Sequence, residues 1–504
     1  MIRPILALLL CAAMAASPAA AQTPAEESDV ASLMRQRVEM FMDQVSATME
    51  REGGGAGYVV DVSEDAQSAI SVVVRDIALF GPDFVWTIGD AELDLVPDGP
   101  DRYRAVLRLP RTASRYDGGG APLGGISLGG QRCVWSYVPS IDVWTESDCV
   151  FKDLVFRGNI PDAGEALLSV DRVALRSSLR EDRDGKWSGP VSMNVEDVQF
   201  GVNGGEILEL ARLDASVVYG GWDLVFLAAA NKAVQEMQDS FAISGPAGEE
   251  LMKKTSVRLV DLAMARAPLM ESMSMTVVLT DFHVRDPDSF EEIGFDAVNV
   301  GVGMEGMDTN AASFFFEYGH AGLAAPLSDP EADLVPLAFD LRLALRDLPS
   351  LDLAVLGVDT FRNAVNDLVP FEARDFAMLV LQRVLRARSV FEIERLGYES
   401  AALRADLAGR FTASGESPRM AVGTARLEVL GLAGLVERMT GMAASGDTDA
   451  LDAAQALEVM QAMGRRVEEG GASRYVYDLE VAPDGRVLLN GNDIGGLLLE
   501  DAMR

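Results

Sequence analysis

Ser127 stands in "GISLG", the G-x-S-x-G spacing that in hydrolases lifts a serine oxygen out of a sharp strand-to-helix turn for acyl transfer. The residues after it, "GGQRCVWSYV", have a strand pattern, so Ser127 reads as an ordinary strand residue. A base is also scarce, since the chain has 2 histidines, His283 and His320. Neither belongs to an H-x-x-H or H-E-x-x-H spacing that would aim two imidazoles at one metal. "GVGMEG" (Gly301, Gly303, Gly306) has the dinucleotide-loop spacing, but "MDTNAASFFFEYGH" opens no helix after it, which leaves a Gly-rich bend. "REDRDGKW" invites a calcium-loop reading. Arg180 fills its first ligand position and Val191 its last, so a hairpin turn at Asp184-Gly185 fits better. The 78 acids single out no glycosidase pair. We assign no catalytic, cofactor-binding or metal-binding residue. The expectation is a non-enzymatic protein, with a hydrolase of unknown type as the enzymatic alternative.

One acidic pattern recurs. "VVVRDIAL", "CVFKDLVF", "MNVEDVQF", "VVLTDFHV" and "LALRDLPS" align on Asp76, Asp153, Asp197, Asp281 and Asp347. Apolar residues hold even offsets before the acid and odd offsets after it. A strand alternates with period 2, so this pattern demands a phase slip. One extra residue at the polar-Asp step restores the alternation; that is a β-bulge, and repeated bulges would curve a sheet. The alternative is a row of carboxylates for cations, weakened by the basic Arg75, Lys152 and Arg346 beside three of the acids.

Cys133 and Cys149 flank a turn at Pro139-Ser140-Ile141. A hairpin centred on Ile141 sets Cys133 opposite Cys149, Trp135 opposite Ser147, Tyr137 opposite Thr145 and Val138 opposite Trp144. Opposed strand residues lie within disulfide reach, so a structural disulfide is expected. No C-x-x-C spacing suggests redox chemistry.

The elements that must carry these residues are read from periodicity. An amphipathic helix is expected from Ser28, its N-cap, to Arg51, ended by "GGGAG". Alternating strands with Gly, Pro and Asp-Gly punctuation fill 57–220, and 112–125 is a long flexible loop. Helices are expected at 222–242, at 351–389 as a pair split by Pro370, and at 449–469. Strand-rich segments occupy about 274–347, 390–430 and 471–499. The fold class is α+β and β-rich. Long curved antiparallel sheets would have helices packed on one side, with a degenerate internal repeat suggested by the alternating blocks. The organisation is 1–21 signal peptide, 22–56 N-terminal helix and Gly hinge, and 57–220 strand-rich region with the disulfide hairpin. It continues as 221–348 helix then strands, 349–436 helical pair then strands, and 437–504 helix and closing hairpin.

Residues 1–21 carry Arg3, an apolar run Ile5–Ala16 and a small-residue site at Ala19-Ala20-Ala21. This is a cleavable signal peptide, and the run is too short to span a bilayer. Cys11 raises a lipoprotein alternative, but Leu10 stands where a lipobox needs a small residue. A periplasmic location is expected, or secretion, with no transmembrane segment after cleavage. The net charge of −35 argues against nucleic acid and against general electrostatic adhesion to anionic lipid.

With its signal sequence, its apolar-x-apolar-x-Asp-apolar strands and its closing "DGRVLLNG" hairpin, the chain resembles the AsmA-like group of Gram-negative envelope proteins and their smaller relatives. The resemblance implies long curved antiparallel sheets that form an apolar groove, and lipid handling between membranes. The expected partner is a lipid or other amphiphile, or alternatively envelope proteins bound by a structural or assembly factor. No cofactor is expected.

Overall fold

The computed structural model describes residues 30–495 apart from 52, 142, 161–163, 183–184, 228, 231–232, 234–245, 267, 287–288, 290, 327–330, 366–372, 446–447 and 470–471. The signal peptide, the Ser28 cap, Asp184, Pro370 and most of the expected 222–242 helix lie outside the described residues. The fold is α+β and β-rich, antiparallel at every described strand pairing. The chain divides into two units. The first runs to Leu269 and takes in 282–290; the second holds 270–281 and everything from Glu291.

In the first unit, α1 (Val30–Glu50) leads into β1 (Gly55–Glu64), β2 (Ile70–Phe80), β3 (Phe84–Pro97), β4 (Tyr103–Arg108), β5 (Thr112–Asp117) and β6 (Pro122–Val138). Next come β7 (Val143–Ile160), β8 (Gly164–Ser178), β9 (Arg180–Glu181), β10 (Trp187–Val202), β11 (Gly205–Trp222) and α2 (Pro246–Arg266). The strands form an antiparallel meander in which β4 and β5 share one place in the order, as do β8 and β9. β4 and β5 lie end to end between β3 and β6 as one strand broken at Pro110. Proline has no N–H for the ladder. The Gln131 side chain replaces the missing ladder bonds, accepting from Leu109 N at 3.0 Å and donating to Leu109 O at 2.5 Å. The segment 112–125 is therefore a hairpin rather than a loose loop. Asp117 closes its turn by accepting from Gly119 N and Ala121 N at 2.9 and 2.7 Å.

α1 buries its apolar stripe on this sheet through Met34, among Val72, Leu95, Trp135 and Tyr137, and through Met42, against Val74 and Ile77. Polar ties fix it there. Arg35 donates to Val60 O at 3.1 Å, and Tyr58 donates to Asp43 at 2.7 Å. The Asp43 hydrogen bond, with burial, pushes the Tyr58 hydroxyl up to about 12. α2 was not expected, because "KKTS" interrupts any apolar stripe at its centre.

The second unit contains β12 (Ser272–Arg285, shared with the first), β13 (Glu292–Glu305), β14 (Ala312–Ala321), β15 (Ala338–Leu348), α3 (Ser350–Val365), α4 (Ala373–Ala387), β16 (Val390–Glu399) and β17 (Arg404–Ala413). It ends with β18 (Ala421–Leu430), α5 (Leu432–Ala444), α6 (Thr448–Met463), β19 (Arg465–Glu469), β20 (Ala472–Val481), β21 (Val487–Leu489) and β22 (Asn492–Asp493). The expected 449–469 helix stops at Met463. Gly464 comes next, where a Cβ would lie 2.8 Å from the Tyr477 ring, and 465–469 pairs with β20 instead. α5 was also not expected. It buries Leu432, Leu435, Val436 and Met439 between β18 and α6.

Candidate functional site

Asp76, Asp153, Asp197, Asp281 and Asp347 all adopt the left-handed conformation, with φ between 48° and 56°. Aspartate enters this region more readily than other non-glycine residues, because its short side chain bonds locally. At the edge of the first unit the acid is an extra residue. Tyr58 of β1 stands opposite both Asp76 and Ile77, and the Asp76 N–H donates to Asp90 at 3.0 Å. In β15 likewise, Ser313 stands opposite Arg346 and Asp347.

At Asp153 and Asp197 no residue is inserted. The register with β8 is the same on both sides of each acid: Lys152 faces Arg172 and Leu154 faces Val170, while Glu196 faces Arg172 and Val198 faces Val170. Both partners slip phase at the same level. Buried Val170 and Val173 mark the slip in β8, and buried Phe151 and Phe156 mark it in β7. A fault line thus crosses the meander and keeps apolar residues on one face throughout. Asp153 lies over Gly129 of β6, where a Cβ would come within 2.5 Å of the carboxylate. Among the described residues, no group of three or more His, Cys, Asp or Glu is arranged to hold a metal ion.

Cys133 and Cys149 are opposed, disulfide-bonded and 1% exposed, with Cα atoms 3.9 Å apart. Trp135 faces Ser147 as the hairpin register requires. Nearer the turn the register shifts: Tyr137 faces Trp144 and Val138 faces Val143, leaving Thr145 as a bulged, buried residue. The shift lets Trp144 pack against Trp135 and Tyr137, with ring centroids 5.2 and 4.8 Å away.

The catalytic look-alikes have structural settings. Ser127 sits inside β6 between Thr112 and Val155. Gly301 and Gly303 lie within β13, where a Cβ would collide with Glu317 and the Phe315 ring. His320 Nε2 bonds the Pro336 carbonyl at 3.0 Å, so that nitrogen carries the proton and Nδ1 accepts from Tyr318 at 3.2 Å. His283 lies on β12.

The arrangement that sequence reading did not localise is in the second unit. Cross-strand register assembles aligned apolar rows over β13 to β17. Phe316, Leu343, Ile393 and Gly409 form one row, and Phe314, Leu345, Phe391 and Phe411 the next. Val300, Tyr318, Leu341, Leu396 and Leu407 form a third. Every one of these residues is only half-buried or exposed. Phe316, Leu345 and Phe391 are 39, 43 and 39% exposed. On β18 and β20 the same face is closed, because α5 and α6 bury Val429, Tyr475 and Tyr477. The opposite face of the sheet carries charge. Arg342 bridges Glu394 at 2.7 Å and Glu317 at 3.8 Å, and Arg346 reaches Glu392 at 2.8 Å. That hydrogen bond raises the Arg346 pKa. The signal that could have located the apolar face was the loss of buried large residues across β13–β17, which requires knowing what covers them.

Two concavities differ from this face. An apolar cavity of about 50 Å³ lies at the Pro110 break, lined by Ile88, Ile126 and Phe151, and is too small for an acyl chain. A cleft of about 680 Å³ on the second unit is lined by Arg410, Thr424, Arg426, Arg465 and Asp478. Asp478 there is already paired with Arg426 and Arg465 at 3.4 and 3.0 Å. No described helix is long and apolar enough to cross a membrane. No protein-family model, curated protein or solved structure matches this chain.

Proposed function

We propose that this is an exported, non-enzymatic protein of the periplasm that binds the apolar part of a lipid or similar amphiphile on the β13–β17 face of its second unit. The observation that carries this reading is the uncovered apolar face itself. Five strands about 4.8 Å apart and three rows of alternate residues give a footprint of roughly 20 by 14 Å. Apolar patches of a few hundred Å² mark interaction surfaces. One side of that footprint exceeds the roughly 15 Å of hydrocarbon in a single bilayer leaflet. An apolar ligand needs no polar chemistry from the protein, and the neighbouring charged face supplies solubility. The chain's diffuse likeness to AsmA-like envelope proteins points the same way.

Native mass spectrometry of protein purified from envelope extracts in mild detergent tests the reading. Wild type is expected to retain lipid, and a Phe316→Asp/Phe391→Asp variant to lose it. Bare wild-type protein, or equal retention by the variant, would sink the assignment.

A further inference from the structure

Helix α4 departs from the rest of this acidic chain. Residues 373–388 hold Arg374, Arg383, Arg386 and Arg388 against a single acid, Asp375, within a protein of net charge −35. None of its residues is buried. At about 100° per residue, Arg374, Met378, Gln382, Arg386 and Leu379 fall on one arc together with Asp375. All of them are exposed, Met378 and Leu379 at 49 and 44%. The other arc, with Phe376, Val380 and Val384, is half-buried where the helix meets α3, β15 and β17. Of the four arginines, Arg383 is engaged with Asp352 of α3 at 3.3 Å. Arg374, Arg386 and Arg388 have no acidic partner among the described residues. On α3, which contacts α4, Val355 and Phe361 are 53 and 49% exposed.

We propose that this arc docks the protein on an anionic lipid surface. Met378 and Leu379 enter the boundary between headgroups and acyl chains, and Arg374 and Arg386 meet lipid phosphates. Charge complementarity selects this occupant. The chain as a whole is repelled by an anionic bilayer, so contact is confined to a helix such as α4, whose exposed arginines outnumber its one exposed acid, Asp375. Binding is therefore local, oriented and weakened by salt. α4 runs directly into β16, where Phe391 is exposed, so docking brings the edge of the apolar face to the membrane. The inference takes its purpose from the proposed lipid binding, but its test is separate.

The purified protein is mixed with vesicles of phosphatidylglycerol and phosphatidylethanolamine, or of phosphatidylcholine alone, and floated through a density gradient at low and high salt. Wild type is expected to float with the anionic vesicles at low salt only. Arg374→Glu/Arg386→Glu and Met378→Ser/Leu379→Ser are each expected to lose roughly tenfold or more of that binding. Both pairs are exposed, and unchanged thermal melts confirm that the variants fold. Retention of co-purified lipid by these variants separates docking from the binding face. Wild type that ignores anionic vesicles, binds both vesicle types equally, or binds as well after substitution would overturn the proposal. So would self-association of wild type that the same substitutions abolish, since that would assign the arc to a second copy of this chain.

Discussion

At the scale of single residues, the repeated aspartates act through backbone conformation. A left-handed φ costs a β-branched residue of order 1–3 kcal/mol and glycine almost nothing. Asp153→Gly and Asp197→Gly should therefore unfold within about 1 kcal/mol of wild type in urea, while Asp153→Val loses roughly 1–3 kcal/mol. If the row instead held cations, both substitutions would cost the same and the loss would depend on added calcium. The offset of apolar positions around each acid was legible in the sequence, because a period-2 pattern records its own interruptions. Whether a residue is inserted was not legible. At Asp153 and Asp197 the neighbouring β8 slips in step, and only the pairing of two strands shows that.

At the scale of elements, the first unit is a meander whose continuity depends on local repairs. The β4–β5 break at Pro110 is bridged by one side-chain amide that imitates a peptide group. Gln131→Ala leaves the Leu109 N–H and C=O without their partner and should cost about 1–3 kcal/mol. Urea denaturation measures it. A loss below about 0.5 kcal/mol would mean that water or a relaxed backbone takes over. The disulfide hairpin is the complementary case. Turn residues and cysteine spacing gave its outer register in advance, but the one-residue shift at Tyr137 comes from packing two tryptophans and a tyrosine together. Helices with a clean apolar stripe, α1, α3 and α4, were legible in advance. α2 and α5 were not: α2 shows no stripe, and α5 follows β18 after a single residue, Gly431.

At the scale of the whole chain, the second unit shows how one sheet face can be core at one end and surface at the other. Val429 is 1% exposed under α5 and α6, while Phe391 on the same face is 39% exposed. Introducing a carboxylate separates the two situations. Val429→Asp buries an unpaired charge and should cost more than about 3 kcal/mol. Phe391→Asp should cost less than about 1 kcal/mol, as surface substitutions do. Thermal melts of the two variants are the check, and comparable losses would mean that the β13–β17 face is covered as completely as the rest.

The sequence by itself determined the β-rich class, the interrupted alternation around five aspartates and the Cys133–Cys149 pairing. Each of these is written in local spacing, which periodicity and residue chemistry can decode. Tertiary structure decided that the slips line up into a fault across the first unit and that 112–125 is a hairpin. It also decided that α5 and α6 cover β18 and β20 but leave β13–β17 bare. These are facts about which distant segments meet, and an apolar strand residue has the same pattern in sequence whether a helix covers it or not.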